Sequence, residues 1–524
     1  MPIRKEARAV DLSFRPTRLR DDRFGLIALG LLALGFVAAT LRIWITPTWY
    51  LDDYLACGLV DTEGLAGLVE YYWDWLGLYR LIWAPFYLLI GPLCDVPVLQ
   101  KAVGLTLHLT AGVLLYKVLR IRLQWSRIAV IGACTVFMFS PLALEAVSWV
   151  AAIKHFPLAL VFVLLAADRL LTDPPKVGAA VLFASLAVIS GEQTILLILT
   201  LPFISIGGPW LERLKVAALV GGPSVIYLGI IKLTGGFGAN PRLSGELAAS
   251  PRYLIDNLPW ARDYLTPFIP GGWRWNEFAR GNWTGLAIGA TVLVILAIVI
   301  SARPKAAESR LAPPSSGLSG IAVGAALIVA AALPLLLAPD PWNSPRVWYL
   351  PHACLALGVG GLLHWLSQIG SKQTMRTVCA LLVVGWALLV VDGVAREANA
   401  YVTNFAREKN LAETINAAME PNDELILLNS PWSLLSLVEA PLIGDHIVQA
   451  FATNYGAVGA LRVLTGANPL DVIIGYDADA VCVLDSGVVL VEGRSPRDNY
   501  LIFDVATMQP VAEGSESTAL FECD

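Results

Sequence analysis

Charge is scarce in this chain. Of its 524 residues only 15% are Asp, Glu, Lys or Arg, while 56% are hydrophobic and mean hydropathy is +0.64. An average soluble domain is roughly one quarter charged. A sequence so poor in polar side chains has no means of covering a folded surface against water, and its composition is that of a protein solvated by lipid. The seven cysteines include no CxxC pair and no spacing that would hold a metal, which excludes zinc ribbons and thioredoxin-like redox sites. No basic stripe with interleaved aromatics is present, so nucleic acid is excluded as a partner. There is no internal repeat, and low complexity is confined to an APPSSG linker at 312–317. The net charge of −5 says little about partners, because charge is sorted by position along the chain.

Long apolar runs are abundant. The first is preceded by Arg4, Lys5, Arg8, Arg15, Arg18, Arg20 and Arg23 and continues to Arg42 and Trp44 without a small-residue cleavage site. It reads as an uncleaved span with its basic flank, residues 1–23, in the cytoplasm. A bilayer-crossing helix needs about 20 apolar residues. Eleven spans are expected, at 24–45, 97–119, 128–143, 156–171, 177–191, 194–208, 216–233, 282–301, 318–337, 350–369 and 375–393. Every loop this scheme places inside carries basic residues: Arg120, Arg122 and Arg127; Arg169 and Lys176; Arg213 and Lys215; Arg303, Lys305 and Arg310; Lys372 and Arg376. Slipping by one span would invert that pattern. The outer loops are then 46–96, 234–281 and 338–349. Residues 394–524 follow as a soluble α+β domain on the non-cytoplasmic side, with a helix over 396–420 and strands in ELILLN, AVCVLDSGVVLVEG and NYLIFDV. Cys57 with Cys94, and Cys482 with Cys523, are each placed either to form a disulfide in an oxidising compartment or to stay as buried thiols.

Ionisable residues avoid the centres of the spans, where they are costly, and gather at the outer ends. Asp52 and Asp53 leave the first span in WYLDDY, and Arg80 sits in LYRL. Glu145 lies in SPLALEAVSW at the next outer turn, with Lys154 and His155 close behind; Glu192 lies in SGEQT, and Arg346 in NSPRVWYLP. Carboxylates and cations from distant segments thus meet one membrane surface, the layout of a site that handles a lipid phosphate. His108, His352, His364 and His446 have no partner spacing and read as structural.

The order of the DD pair, LYRL, PLALEAVSWVAAIK, SGEQTILLILTLP and RVWYLP resembles the GT-C superfamily of membrane glycosyltransferases, closest to its protein O-mannosyltransferase-like branch, over roughly residues 25–370. The resemblance implies a GT-C-like fold of about eleven spans. It also implies transfer of one sugar, with inversion, from a polyprenyl-phosphate donor to a protein, lipid or glycan hydroxyl outside the cytoplasm. In that frame Asp52 is the base, with Asp53 and Glu145 orienting. Arg80, Lys154, His155 and Arg346 hold the donor phosphate, and Glu192 is accessory. One base and several cations suffice because a lipid phosphate already leaves as an anion, whereas glycoside hydrolysis needs a second carboxyl as acid. No cofactor is expected; a divalent ion on Asp52, Asp53 and Glu145 is the less favoured alternative. The competing functions are a non-catalytic membrane scaffold and a lipid flippase. The flippase would call for broken helices with midplane charge in repeated halves.

Overall fold

A computed structural model of the chain describes residues 22–47, 49, 51–77, 81–205, 209–234, 251–265, 285–302, 314–337, 345–369, 372–420, 424–428, 451, 454–467, 469, 471–475, 481–483, 489–491, 500–505 and 508–513. Each of the eleven apolar segments forms helix. The first is α1 (Arg23–Ala39), which bends at Thr40 into the short α2 (Leu41–Ile45). The outer segment that follows is itself helical, as α3 (Leu51–Leu76) and α4 (Trp83–Ile90). The bundle continues with α5 (Pro97–Lys117), α6 (Arg127–Met138), α7 (Leu142–Ser148), α8 (Val150–Ile153), α9 (Pro157–Leu170), α10 (Val177–Ser190), α11 (Thr194–Ser205) and α12 (Trp210–Thr234). After α13 (Pro251–Leu265) come α14 (Gly285–Ala302), α15 (Pro314–Leu336), α16 (Tyr349–Leu366) and α17 (Lys372–Ala418). Among the described residues seven helices are long and apolar enough to cross a bilayer, and α6 with α7, bent by 65°, makes an eighth if the pair is one span. The chain is therefore a multi-pass helical membrane protein. Helices α1, α10 and α11, expected as spans, are apolar but shorter than that standard.

Two departures from the expected boundaries, and one break inside α3, have local causes. Pro141 cannot donate into a helical ladder, and its ring clashes with the preceding turn. The expected span 128–143 accordingly stops at Met138, and helix resumes at Leu142 in what was expected to be an outer turn. Helix α3 breaks at Gly64, whose φ of 71° is open to glycine at little cost. The last span does not end at 393. Asp392 pairs with Arg396 one turn on, at 3.1 Å, and 394–418 contains neither proline nor glycine, so α17 runs unbroken for 47 residues.

Packing relies on small residues where helices cross. A Cβ on Gly324 of α15 would lie 2.6 Å from the Cα of Gly358 on α16, so only a bare backbone fits that crossing. At the end of the bundle where α5 finishes, buried carboxylates collect the basic residues. Asp22 accepts from Arg120 Nε at 2.7 Å, Arg127 Nε at 3.0 Å and Tyr116 Oη at 2.8 Å. Asp168 pairs with Lys117 and Arg122, both at 2.8 Å. Burial alone would raise the Asp22 carboxyl, but the charges of Arg120 and Arg127 outweigh it and hold the pKa at about 2.

Beyond α17 the chain builds a four-stranded sheet in the order β2-β1-β5-β6, from β1 (Glu424–Leu428), β2 (Asp471–Gly475), β5 (Tyr500–Asp504) and β6 (Gln509–Glu513). β1 pairs in parallel with β2 and β5, and β5 pairs antiparallel with β6. β3 (Val481–Val483) and β4 (Val489–Val491) form a separate antiparallel pair. Helix α18 (Asn454–Thr465) covers the sheet. Leu425 and Leu427 of β1 share a core with Leu501 and Phe503 of β5, Leu461 of α18 and Ile415 near the end of α17. Tyr54 of α3 is buried in the same core, and a Cβ on Gly459 would sit 2.6 Å from its carbonyl carbon, so α18 lies directly on the start of α3. Cys57 and Cys94 form a disulfide, Cα to Cα 5.4 Å, tying α3 to the turn after α4. Cys523, and with it the Cys482–Cys523 pairing, lies outside the described residues.

Candidate functional site

The starts of α3 and α5, the α7–α8 turn and the turn entering α16 converge at the end of the bundle away from Asp22 and Asp168. The last of these, Pro345–Trp348, is a 3-10 turn, and it places Arg346 against α7. Glu145 Oε1 receives Arg346 Nη1, and Glu145 Oε2 receives the Arg346 peptide N–H at 3.2 Å. One carboxylate thus fixes both the guanidinium and the backbone of residue 346. The guanidinium carbon lies 3.8 Å from the centre of the Trp149 ring, a close cation–π contact. Trp348 holds the turn from the other side by stacking on Tyr264 of α13 at 5.7 Å.

Asp53 faces the next turn. Trp149 has ψ of 112°, which leaves the first N–H groups of α8 without helical acceptors. Asp53 takes both, Val150 N at 2.9 Å and Ala151 N at 2.8 Å. Burial pushes its pKa up to about 7; the two peptide bonds and Lys154 pull down, and the Asp52 charge pushes up. Asp52, at the first turn of α3, is half-buried. Lys154 follows α8 and donates to Tyr87 Oη and the Ala151 carbonyl, each at 3.1 Å, with its ammonium 4.3 Å from the Tyr87 ring centre. Tyr87 in turn donates to Tyr72 Oη at 2.9 Å, and the two rings stack.

The expected site residues therefore fall into groups. Glu145 and Arg346 form one buried pair, and Asp53 binds the turn that ends in Lys154. His155 points elsewhere: Nδ1 donates to the Ser190 carbonyl at 2.8 Å. Its partner turn is the one that carries the half-buried Glu192, where the Gly191 backbone passes so close that a Cβ would lie 2.8 Å from the His155 oxygen. Arg80 lies outside the described residues.

The candidates drawn from the sequence omit Lys101. This fully buried ammonium donates to the carbonyls of Ile43 at 3.2 Å and Thr46 at 3.0 Å, the exposed acceptors at the end of α2. It pins the turn that delivers Asp52. An ionisable residue in the first turn of an apolar span was the available signal. Neighbouring Gln100 accepts from Trp49 Nε1 at 3.2 Å and donates to the Ile90 carbonyl at 3.2 Å. Asp53, Tyr87, Gln100 and the disulfide line a cavity of about 10 Å³, room for about one water. Among the described residues no three His, Cys, Asp or Glu side chains gather as a metal-ligand set.

Chemically the arrangement offers two cations fixed on aromatic rings, Arg346 on Trp149 and Lys154 on Tyr87, with the half-buried Asp52 carboxylate near Tyr72 and Tyr87. A base next to fixed cations suits transfer to or from an anionic group. No family model and no curated protein matches this chain.

Proposed function

We propose that the protein is an inverting glycosyltransferase of GT-C type. It moves a monosaccharide from a polyprenyl-phosphate donor to a hydroxyl on the non-cytoplasmic face of the membrane. The observation that carries this reading is the buried Glu145–Arg346 pair on Trp149, set beside the Asp53-capped turn that bears Lys154. Segments about 200 residues apart in sequence are brought together there, and what they bring is charge in an otherwise apolar bundle. The Cys57–Cys94 disulfide supports placing that end in an oxidising compartment, and the basic loops gathered at the other end support a cytoplasmic location there. With eleven spans, the sheet unit after α17 is a soluble α+β domain on the same outer side as the site.

In this mechanism Asp52 takes the proton of the acceptor hydroxyl as its oxygen bonds to the anomeric carbon. The bond from that carbon to the phosphate oxygen breaks from the opposite face, and the electron pair leaves with the lipid phosphate. Arg346 carries five N–H donors in a planar fork, matched to phosphate oxygens, and the phosphate competes with Glu145 for them. Lys154 adds a second positive charge. Asp53 holds the turn that positions Lys154, and Glu145 holds the turn that positions Arg346.

The test is Asp52→Asn, assayed in membranes against a panel of polyprenyl-phosphate sugars. Losing a positioned general base costs about a hundred- to ten-thousand-fold in rate, while a half-buried carboxylate in the first turn of a helix contributes only about 0.3–1 kcal/mol to folding. The variant should insert and purify like the wild type and show almost no transfer. Near wild-type turnover with a donor that the wild type uses would remove Asp52 from the role of base. If Asp53 and Glu145 variants were also active, the scaffold reading would take precedence.

A further inference from the structure

A second cavity, larger than the one beside Asp53, is not at the carboxylate end. It is a cleft of about 280 Å³, partly open, walled by Leu115 and Val118 of the α5 segment, Leu164 of α9, Leu197 of α11, Val323 of α15 and Leu357 of α16. None of the described residues lining it is charged, and Ser316 and Ser319 are its only hydroxyl-bearing lining residues. That volume would take nearly ten waters at about 30 Å³ each, yet the wall offers them too few hydrogen-bonding partners to stay. Its rim lies where α5 and α9 end. Lys117 and Arg122 flank the lining residues Val118 and Leu123, and Arg169 follows Ala167 at the end of α9. These three cations surround a single carboxylate, Asp168, so this group keeps a net charge of about +2. Asp168 is fully buried, whereas the Lys117 and Arg169 side chains remain about a third exposed. Arg169 Nε is 4.0 Å from Asp168 and makes no hydrogen bond. From Lys101 to Val118 along α5 is about 25 Å at 1.5 Å per residue, so this rim is remote from the proposed catalytic end.

We propose that this cleft binds an anionic phospholipid from the leaflet on the basic side. Its acyl chain fills the apolar cavity, and its headgroup phosphate sits on the rim formed by Lys117, Arg122 and Arg169. The chemistry of the two parts selects the ligand. An apolar cleft open to a bilayer takes hydrocarbon, and a rim with surplus positive charge at a helix end discriminates against headgroups with no net charge. This site does not depend on the glycosyltransferase reading, and it holds a resident lipid rather than a donor.

The full-length protein, purified in detergent and stripped of lipid, is titrated with phosphatidylglycerol or phosphatidylcholine. Bound lipid is counted by native mass spectrometry, and the melting temperature is followed in parallel. One phosphatidylglycerol should bind at least about tenfold more tightly than phosphatidylcholine and raise the melting temperature. Arg169→Gln should shrink that preference, and Val323→Trp, which fills the cleft, should abolish retention of both lipids. If Val323→Trp does not fold, Ser319→Phe at the rim of the same cleft replaces it. Equal binding of the two lipids, or undiminished retention in the filled variant, would overturn the proposal. So would displacement of phosphatidylglycerol by an equimolar polyprenyl phosphate, which would make the cleft part of a donor path. Because lipid retention is the readout, the result is independent of any sugar-transfer assay.

Discussion

The Glu145–Arg346 pair makes a quantitative demand that separates folding from chemistry. Both side chains are removed from water, Glu145 at 1% exposure and Arg346 at 9%. Removing one partner of a buried pair strands the other, at a cost of about 3–5 kcal/mol, whereas replacing both by uncharged groups of similar size is close to neutral. Glu145→Gln removes this counter-charge and leaves the guanidinium on the Trp149 face. Arg346→Met removes the guanidinium and its charge from a carboxylate that is 1% exposed. In the double variant the amide oxygen introduced by Glu145→Gln still accepts the 346 peptide N–H, so the turn keeps its anchor. Each single variant should unfold at markedly lower temperature or denaturant in detergent, and the double variant should recover most of the loss. With each single loss at about 3–5 kcal/mol and a double loss of no more than about 2 kcal/mol, the coupling is at least about 4 kcal/mol, above the usual range for contacting residues. If Arg346 binds a donor phosphate as proposed, sugar transfer should not recover in the double variant. Additive losses in the double variant would mean that the pair carries no net interaction. A stable double variant with normal donor dependence would remove Arg346 from the phosphate site.

Three further outcomes follow from the same geometry. The Asp22 carboxyl is held at about 2, so its contribution to stability is present above the unfolded value near 4 and is lost as pH falls towards 2. Asp22→Asn should cost about 3–5 kcal/mol at pH 7 and flatten the acid limb of the melting profile, because Arg127 is then buried without that partner. Asp53 behaves with the opposite sign. Its folded pKa near 7 lies above the unfolded value, so its stabilising protonation is complete below about pH 4 and is lost as pH rises through 7. Melting curves of Asp53→Asn from pH 5 to 8 should lack that decline, and an unchanged slope would show that Asp53 does not titrate there. Gly459→Leu should push α18 off Tyr54, raise protease cleavage after residue 418 and reduce transfer, while leaving insertion intact; wild-type protease resistance would show that the crossing tolerates a side chain.

The membrane helices were legible because a span of hydrocarbon imposes a length and a composition that no local detail overrides; all eleven apolar segments are helical. What happens between them was not. LALEAVS and VAAI have helical composition, and nothing in single-residue preference says that Ser140-Pro141 bends α6 into α7 by 65° rather than ending a span. Strand β2, DVIIG, was missed because three apolar residues between Asp and Gly carry too short an alternation; pairing with β1 makes it a strand. Charge at the ends of spans drew attention to Asp53, Glu145, Lys154 and Arg346, and all four are buried and partnered at one end of the bundle. Which of them pair was invisible: Glu145 and Arg346 are separated by 201 positions, and Asp53 finds two backbone N–H groups that no sequence pattern advertises. Lys101 was overlooked because its acceptors are backbone carbonyls, which every residue carries.

An unbroken α17 has a mechanical consequence. At 1.5 Å per residue it is about 70 Å long, more than twice the roughly 30 Å of bilayer hydrocarbon, and it behaves as a strut rather than a tether. The sheet unit at its far end also grips Tyr54, two positions from Asp52. Strut and grip close a loop, so a macromolecule that tilts the sheet unit cannot swing it away as a pendant module. The torque is delivered both down the helix into the bundle and across Tyr54 to the start of α3, where Asp52 and Asp53 lie.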